Sequence, residues 1–131
     1  MVRILMVEDD ANQLRRMAEI LTKTFPSYNI HTATGYNEAV AKIKELQVVS
    51  LVVADYQLED GTGYDLLKYC QDHLTNVPVI LITAYGKDNE HEVRAALSFQ
   101  KGAFDFMDKP IDYDELIQRI ARALEIAEGL A

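Results

Sequence analysis

The stretch RILMVEDD (residues 3–10) decides the fold, because its apolar run leads straight into three acidic residues. Three further stretches have the same form: SLVVAD (50–55), VILIT (79–83) and FDFMDK (104–109). Polar side chains just past a buried strand lie at the carboxyl edge of a sheet, which is where open α/β sheets bind ligands. The side chains that we expect to converge on one pocket are Glu8, Asp9, Asp55, Thr83 and Lys109.

The totals favour one globular domain over residues 1–131. Lys plus Arg number 13 and Asp plus Glu number 21, a net charge of −8, which disfavours a nucleic-acid surface. Cys70 is the only cysteine, so an internal disulfide and a cysteine zinc site are excluded. No apolar run approaches the roughly 20 residues needed to span a bilayer, and no signal peptide precedes the first strand. We therefore expect a cytoplasmic protein without membrane contact.

Strand-like and helix-like segments alternate five times along the chain. A helical stripe or helix-start signal follows each predicted strand, and Asp112 is the expected N-cap of the fifth helix, with Glu115 three residues later. Strict alternation with short connections predicts parallel strands joined by right-handed crossovers. The predicted strands are 3–8, 28–33, 50–54, 77–82 and 104–107, and the fourth helix is predicted within 88–101, with Gly102 as its stop.

The strand sequences also predict the strand order. Strands one, three and four are nearly continuous apolar runs, as strands covered on both faces should be. Strands two and five alternate with polar residues and therefore belong at the edges. The prediction is an α/β fold, a flavodoxin-like (βα)5 arrangement whose five-stranded parallel sheet has the order 2-1-3-4-5 with helices on both faces.

Glu8, Asp9 and Asp55 would together carry three negative charges. Like charges ~4 Å apart cost about 4 kcal/mol per pair near a protein surface, so such a cluster takes up protons or binds a cation. Oxygen ligands without His or Cys favour a hard cation, Mg²⁺ (or Mn²⁺). Three carboxylates, one divalent ion and Lys109 sum to zero charge.

A metal-bound carboxylate beside a lysine and a threonine is arranged to receive a phosphoryl group. Asp55 would be the nucleophile and would form an aspartyl-phosphate. The metal and Lys109 would offset charge on the transferring oxygens, and the Thr83 hydroxyl would donate a hydrogen bond to one of them.

These motifs together resemble the response-regulator receiver domain of two-component signalling, of the chemotaxis-receiver type, over residues 3–127. Residues 102–112 are similar to receivers that precede ATPase-type transcription activators. The resemblance implies that Asp55 accepts phosphoryl from a sensor histidine kinase, a histidine phosphotransfer protein or a small donor such as acetyl phosphate. It implies that Asp9 and Asp55 ligate the metal directly, Glu8 through water, and Gln57 through its backbone carbonyl.

The resemblance also implies a switch and a cis Lys109–Pro110 peptide bond. Phosphorylation would draw the Thr83 hydroxyl inward and let Phe106 turn from exposed to buried, as a shift between two existing packings. The surface of the fourth helix, fifth strand and fifth helix would then control an output domain or partner protein, or form a phosphorylation-dependent homodimer. Such a domain is a phosphoprotein that catalyses only its own phosphorylation and dephosphorylation. The residues alone also allow Phe106 to be a permanent core aromatic.

The chain departs from the family pattern at several positions. Glu59 stands where proline is frequent, so the loop after Asp55 is expected to be looser, and Phe106 stands where tyrosine is more frequent. The stretch from Thr83 to Lys109 is longer than usual, and we assign the extra residues to 86–91. The resemblance ties Gln57 and Tyr85 to aspartyl-phosphate lifetime, with the bulk of Tyr85 shielding the phosphoryl group.

Two other functions share parts of this pattern. A Mg²⁺-dependent phosphohydrolase would also use an aspartate nucleophile, but such enzymes generally have a second acid two residues on, where this chain has Gln57. A flavin-binding flavodoxin-like module would share the strand order, but the acidic residues 8–10 would repel a flavin phosphate.

Overall fold

The computed structural model describes residues 1–84 and 100–128. Five parallel strands form one sheet of order β2-β1-β3-β4-β5, which confirms the predicted flavodoxin-like topology. The strands are β1 (Arg3–Val7), β2 (Asn29–Ala33), β3 (Leu51–Asp55), β4 (Val79–Ala84) and β5 (Asp105–Lys109).

Helices cover both faces of this sheet. They are α1 (Ala11–Thr24), α2 (Tyr36–Leu46), α3 (Gly63–His73) and a C-terminal helix (Tyr113–Ala127). Most of the predicted fourth helix and the predicted extra residues 86–91 lie outside the described residues. Gly102, predicted to stop that helix, has a φ of +101°, a backbone conformation that favours glycine. None of the helices described is long and apolar enough to cross a membrane.

The core has two layers because successive side chains of a strand point to opposite faces. On one face Leu5 and Val52 pack with residues of α2 and α3, among them the buried Cys70. On the other face Ile4 and Val53 pack with residues of α1 and the C-terminal helix. Burying each such aliphatic side chain contributes about 1.5–3 kcal/mol.

Strands β3, β4 and β5 end one or two residues later than predicted, whereas β1 ends one residue earlier and β2 ends where predicted. The polar residues at the ends of β3 and β5 still take part in the sheet: Asp55 is in register with Ile82, and Lys109 with Ala84. Asp55 and Lys109 are therefore the last residues of β3 and β5, so the sheet itself positions their backbones.

Helix caps follow the sequence in most places. Asp10 accepts hydrogen bonds from the amides of Asn12 and Gln13 at the start of α1, at 2.9 and 3.2 Å. Asp112 accepts from the Glu115 amide at 3.2 Å, as predicted for the fifth helix. In that helix Ala123 is buried, whereas Ala127 is exposed because the last turn leaves the packed face.

Candidate functional site

The carboxyl edge of the sheet brings the acidic residues together, as predicted. Glu8 directly follows β1 and Asp55 ends β3. These two residues are 1% and 8% exposed, whereas Asp9 is exposed. Carboxylate oxygens of the three residues lie within 4.8 Å of one another. We call Glu8, Asp9 and Asp55 the acidic cluster. Thr83 lies on β4 at the same edge and is 1% exposed.

Lys109 completes this arrangement from β5. Its Nζ donates to Glu8 Oε1 at 2.8 Å and to Asp55 Oδ2 at 2.7 Å. Burial alone would lower the pKa of Lys109, but the hydrogen bonds and charges of Asp55 and Glu8 outweigh burial and raise it. Lys109 is therefore held as a cation between the carboxyl groups of Glu8 and Asp55. The Lys109–Pro110 peptide bond is cis.

Glu8 has an unusual environment. Burial, and then the hydrogen bond and negative charge of Asp55, raise the pKa of Glu8 to about 8, although Lys109 acts in the opposite direction. Its second oxygen, Oε2, is buried and has no hydrogen-bond partner within the described part of the chain. A buried oxygen of this kind is costly unless a proton or a cation satisfies it.

These residues fit a hard divalent cation. The donors are oxygens only, the cluster combines an exposed member with two buried ones, and the Oε2 atom of Glu8 lacks a partner among the described residues. Carboxylate oxygens are the ligands that Mg²⁺ and Mn²⁺ accept most readily.

Asp55 is held from both sides. Its Oδ1 accepts a hydrogen bond from the Gln57 amide at 3.1 Å, and its Oδ2 accepts from Lys109 at 2.7 Å. The ring of Tyr56, the next residue, meets the ring of Tyr64 edge-on, with centroids 4.9 Å apart. The orientation of the Asp55 carboxylate is thus defined by its neighbours.

The loop after Asp55 is not left loose, in contrast to the expectation from Glu59. Gln57–Leu58 pairs antiparallel with Gly61–Thr62, so residues 57–62 form a small hairpin, which we call the acceptor loop. Asp60, at its tip, binds the first amides of α2. This contact links residues more than 20 positions apart, and no spacing in the sequence signals it.

The predicted switch residue Phe106 is 8% exposed and packs in the core layer of α2 and α3. It neighbours a contact that the sequence analysis missed. Arg119 of the C-terminal helix donates to Asp105 Oδ1 at 2.6 Å and to the Phe106 carbonyl at 3.4 Å. Arg119 thereby ties the C-terminal helix to β5 at two neighbouring residues, Asp105 and Phe106. Tyr85 lies outside the described residues.

A parallel sheet that gathers three carboxylates, a threonine and a lysine at its carboxyl edge defines the class of phosphoacceptor switch domains. The family model described as response regulator receiver domain matches residues 4–121, and the chain belongs to this family. Receiver domains are phosphorylation-activated switches of two-component signal transduction, and this is the function class of the chain; the phosphohydrolase alternative is not favoured.

Similar proteins agree with this assignment. The chain is 33% identical over 124 residues to the response regulator protein PilR of Pseudomonas aeruginosa, covering 92% of this chain and 26% of PilR. A CheY-like receiver domain protein from Methanospirillum hungatei superposes with a TM-score of 0.85 at 27% identity, covering 100% of this chain and 99% of that one. The beryllofluoride-activated NtrC4 receiver domain dimer gives 0.83 at 29% identity, with 97% and 99% covered.

The curated relatives are longer proteins. The chain spans 26% of PilR, 26% of GlrR and 25% of AtoC, the last two from Escherichia coli.

Proposed function

We propose that Asp55 is the phosphoacceptor of this receiver. The observation that carries the proposal is the different engagement of its two oxygens: Oδ1 faces the Gln57 amide at 3.1 Å and Oδ2 faces Lys109 at 2.7 Å. A carboxylate held in one orientation beside a cation loses little freedom when it attacks, which lowers the barrier to reaction.

The acidic cluster holds Mg²⁺ or Mn²⁺ in this proposal, with Asp9 and Asp55 as direct ligands, Glu8 acting through water and the Gln57 carbonyl as a further ligand. The unpartnered Oε2 of Glu8 and the 4.8 Å grouping of the carboxylates support it. When bound, the cation offsets the negative charge that builds up where phosphoryl meets carboxylate. Glu8 has to give up its proton for this role.

Lys109 and Thr83 act on the transferred group. An Asp55 oxygen forms a bond to phosphorus as the bond from phosphorus to the donor nitrogen or oxygen breaks. The Lys109 ammonium, already 2.7 Å from Asp55 Oδ2, moves little to neutralise a phosphoryl oxygen. The Thr83 hydroxyl, at the same edge of the sheet, donates a hydrogen bond to another oxygen.

Membership of the receiver family supports a proposal for the phosphoryl donor and the output. The donor is a sensor histidine kinase, a histidine phosphotransfer protein or a small phosphodonor, and the domain catalyses only its own phosphorylation and dephosphorylation. Movement of Thr83 toward the phosphoryl group shifts the packing of Phe106, and Gln57 and Tyr85 set the lifetime of the phosphorylated state. The altered face includes β5 and the C-terminal helix and acts on an output domain, a partner or a second copy. The NtrC4 receiver, which was solved as an activated dimer, supports the last option.

Intact mass after incubation with acetyl phosphate tests the acceptor and the cation together. We expect a gain of one phosphoryl group that needs Mg²⁺ or Mn²⁺ and is lost in Asp55→Asn. The matched control is Asp72→Asn, because Asp72 is an exposed aspartate of α3 that pairs with Lys68, 3.4 Å away. If the wild-type chain gained no mass with either cation, and none from a phosphorylated histidine phosphotransfer protein, the proposal would be wrong.

A further inference from the structure

Helix α2 begins without a cap of its own. Its N-cap residue is Gly35, which has no side chain to accept a hydrogen bond from the first turn. Two amides of its first turn that have no partner within the helix, those of Tyr36 and Asn37, donate to Asp60 Oδ1 and Oδ2, at 2.7 and 2.9 Å. A residue 24 positions further along the chain therefore caps α2.

The fit between Gly35 and Asp60 is tight. A Cβ on Gly35 would lie 2.8 Å from Asp60 Oδ1, and the three nearest atoms to it all belong to Asp60. The carboxylate thus fills the space that a capping side chain at position 35 would need. The two amide hydrogen bonds lower the pKa of Asp60, so this carboxylate is ionised at neutral pH.

Asp60 belongs to the acceptor loop, and the other end of that loop meets Asp55. The loop pairs Gln57 with Thr62 and Leu58 with Gly61, so Asp60 stands at its tip. At its base the Gln57 amide donates to Asp55 Oδ1 at 3.1 Å. The loop is fixed at two points, one on the acceptor carboxylate and one on α2.

We propose that Asp60 is a positioning residue for the acceptor site: by holding the loop tip on α2, it fixes the backbone of Gln57 beside Asp55 and the acidic cluster. This inference rests on the proposed metal site. Its consequence is that the hydrogen bonds of Asp60, a residue that does not touch the cluster, strengthen Mg²⁺ binding by holding Gln57 in place.

Asp60→Ala tests this with two readouts by NMR, the Mg²⁺ dissociation constant from amide shifts and the hydrogen-exchange rate of the Gln57 amide. We expect Mg²⁺ to bind about tenfold more weakly, at the lower end of what removal of an outer-shell partner costs a metal site. The Gln57 amide should exchange several-fold faster, and the thermal midpoint should fall because α2 loses its cap. Asp60→Asn should give values between those of the wild type and Asp60→Ala in all three measurements, since the amide oxygen of the new side chain can accept from one donor.

A double variant separates positioning from helix capping. Gly35→Ser with Asp60→Ala gives α2 a cap of its own, in an extended backbone (φ −168°, ψ −178°) that serine also adopts. We expect the thermal midpoint to return toward the wild-type value while Mg²⁺ binding stays about tenfold weaker. Ile43→Val is the matched control: it removes one methyl group from the buried face of α2, and should lower the midpoint with Mg²⁺ binding unchanged.

Wild-type Mg²⁺ affinity in Asp60→Ala, or recovery of that affinity together with stability in the double variant, would show that Asp60 is only a helix cap. A wild-type chain that binds no Mg²⁺ would instead overturn the proposed metal site. In that case the Gln57 exchange rate decides the inference, because unchanged exchange in Asp60→Ala would mean that Asp60 does not hold the loop.

Discussion

Mg²⁺ binding should release a proton from Glu8. The Glu8 side chain is almost fully buried, and burial together with Asp55 raises its pKa to about 8 in the cation-free protein. A cation in the acidic cluster favours the ionised form, so binding and loss of the proton are linked. Lowering the pH below about 8 should therefore weaken Mg²⁺ binding. This pH is well above the range in which ordinary glutamates titrate.

The size of the effect follows from that pKa. A group with a pKa of about 8 is roughly 90% protonated at pH 7 and roughly 99% at pH 6. If the cation binds only to the ionised form, its apparent dissociation constant rises about tenfold for each pH unit below 8. Close to one proton should be released for each Mg²⁺ bound at pH 7.

Isothermal titration calorimetry at pH 6, 7 and 8 measures both quantities. Two buffers of different ionisation enthalpy at each pH give the number of protons released. Glu8→Gln is the matched variant, because it keeps the size of the side chain and removes its titration. An Mg²⁺ affinity that is the same at pH 6 and pH 8, without proton release, would refute this account of Glu8.

The same shift predicts how the cation-free protein responds to pH. The folded pKa of Glu8 lies above its ordinary value of 4.5, so the folded state keeps a proton that the unfolded state has lost. Stability from this group is therefore present below about pH 4.5 and is lost as the pH rises through about 8. Urea unfolding with EDTA should show this slope, and Glu8→Gln should flatten it.

Three further predictions concern neighbouring residues. Gly63→Ala should lower the free energy of unfolding by about 1–3 kcal/mol, because the new Cβ would lie 2.8 Å from Leu81 Cδ2 and 3.0 Å from the Asp55 carbonyl oxygen. A Cβ on Gly61 would meet only side-chain atoms at 3.2 Å or more, so Gly61→Ala should lower the free energy of unfolding by less, as measured by urea titration. Equal losses in the two variants would contradict this packing argument. Lys109→Met should destabilise the protein by roughly 3 kcal/mol, since buried Asp55 and Glu8, the latter about half ionised at pH 8, lose their cationic partner; unfolding at pH 8 checks this, and wild-type stability would count against the ion pairs. Burial and then nearby cations lower the pKa of His31, so the protein should lose stability as the pH falls below the ordinary value of 6.5. Unfolding measured from pH 7 to 5 should show this loss in the wild type and not in His31→Leu.

The sequence predicted the features that repeat along the chain. The β–α alternation and the polar edge strands sufficed for the sheet order, and the polar residue closing each apolar run located the acidic cluster and Lys109. These signals are local, because the periodicity and the residues after each run can be counted in one stretch. The ends of strands could not be predicted in this way, since Asp55 and Lys109 belong to β3 and β5 through pairing with β4.

Contacts between distant segments left no comparable signal. The hydrogen bonds of Asp60 with the start of α2 and those of Arg119 with β5 depend on the assembled fold. Gly35 was a weak hint, because a glycine N-cap leaves the amides of the first turn to water or to an acceptor from another segment.

The alkylation rate of Cys70 can report local opening of this protein. Cys70 is the only thiol of the chain, is 2% exposed, and burial raises its pKa to about 12. At pH 8 roughly one molecule in ten thousand would carry the reactive thiolate in the folded state, so an alkylating reagent has to wait until α3 opens. The labelling rate of the unmodified protein therefore reports the free energy of that opening. Comparing the rate with and without Mg²⁺ would measure how occupancy of the acidic cluster changes the opening of α3, without changing a single residue.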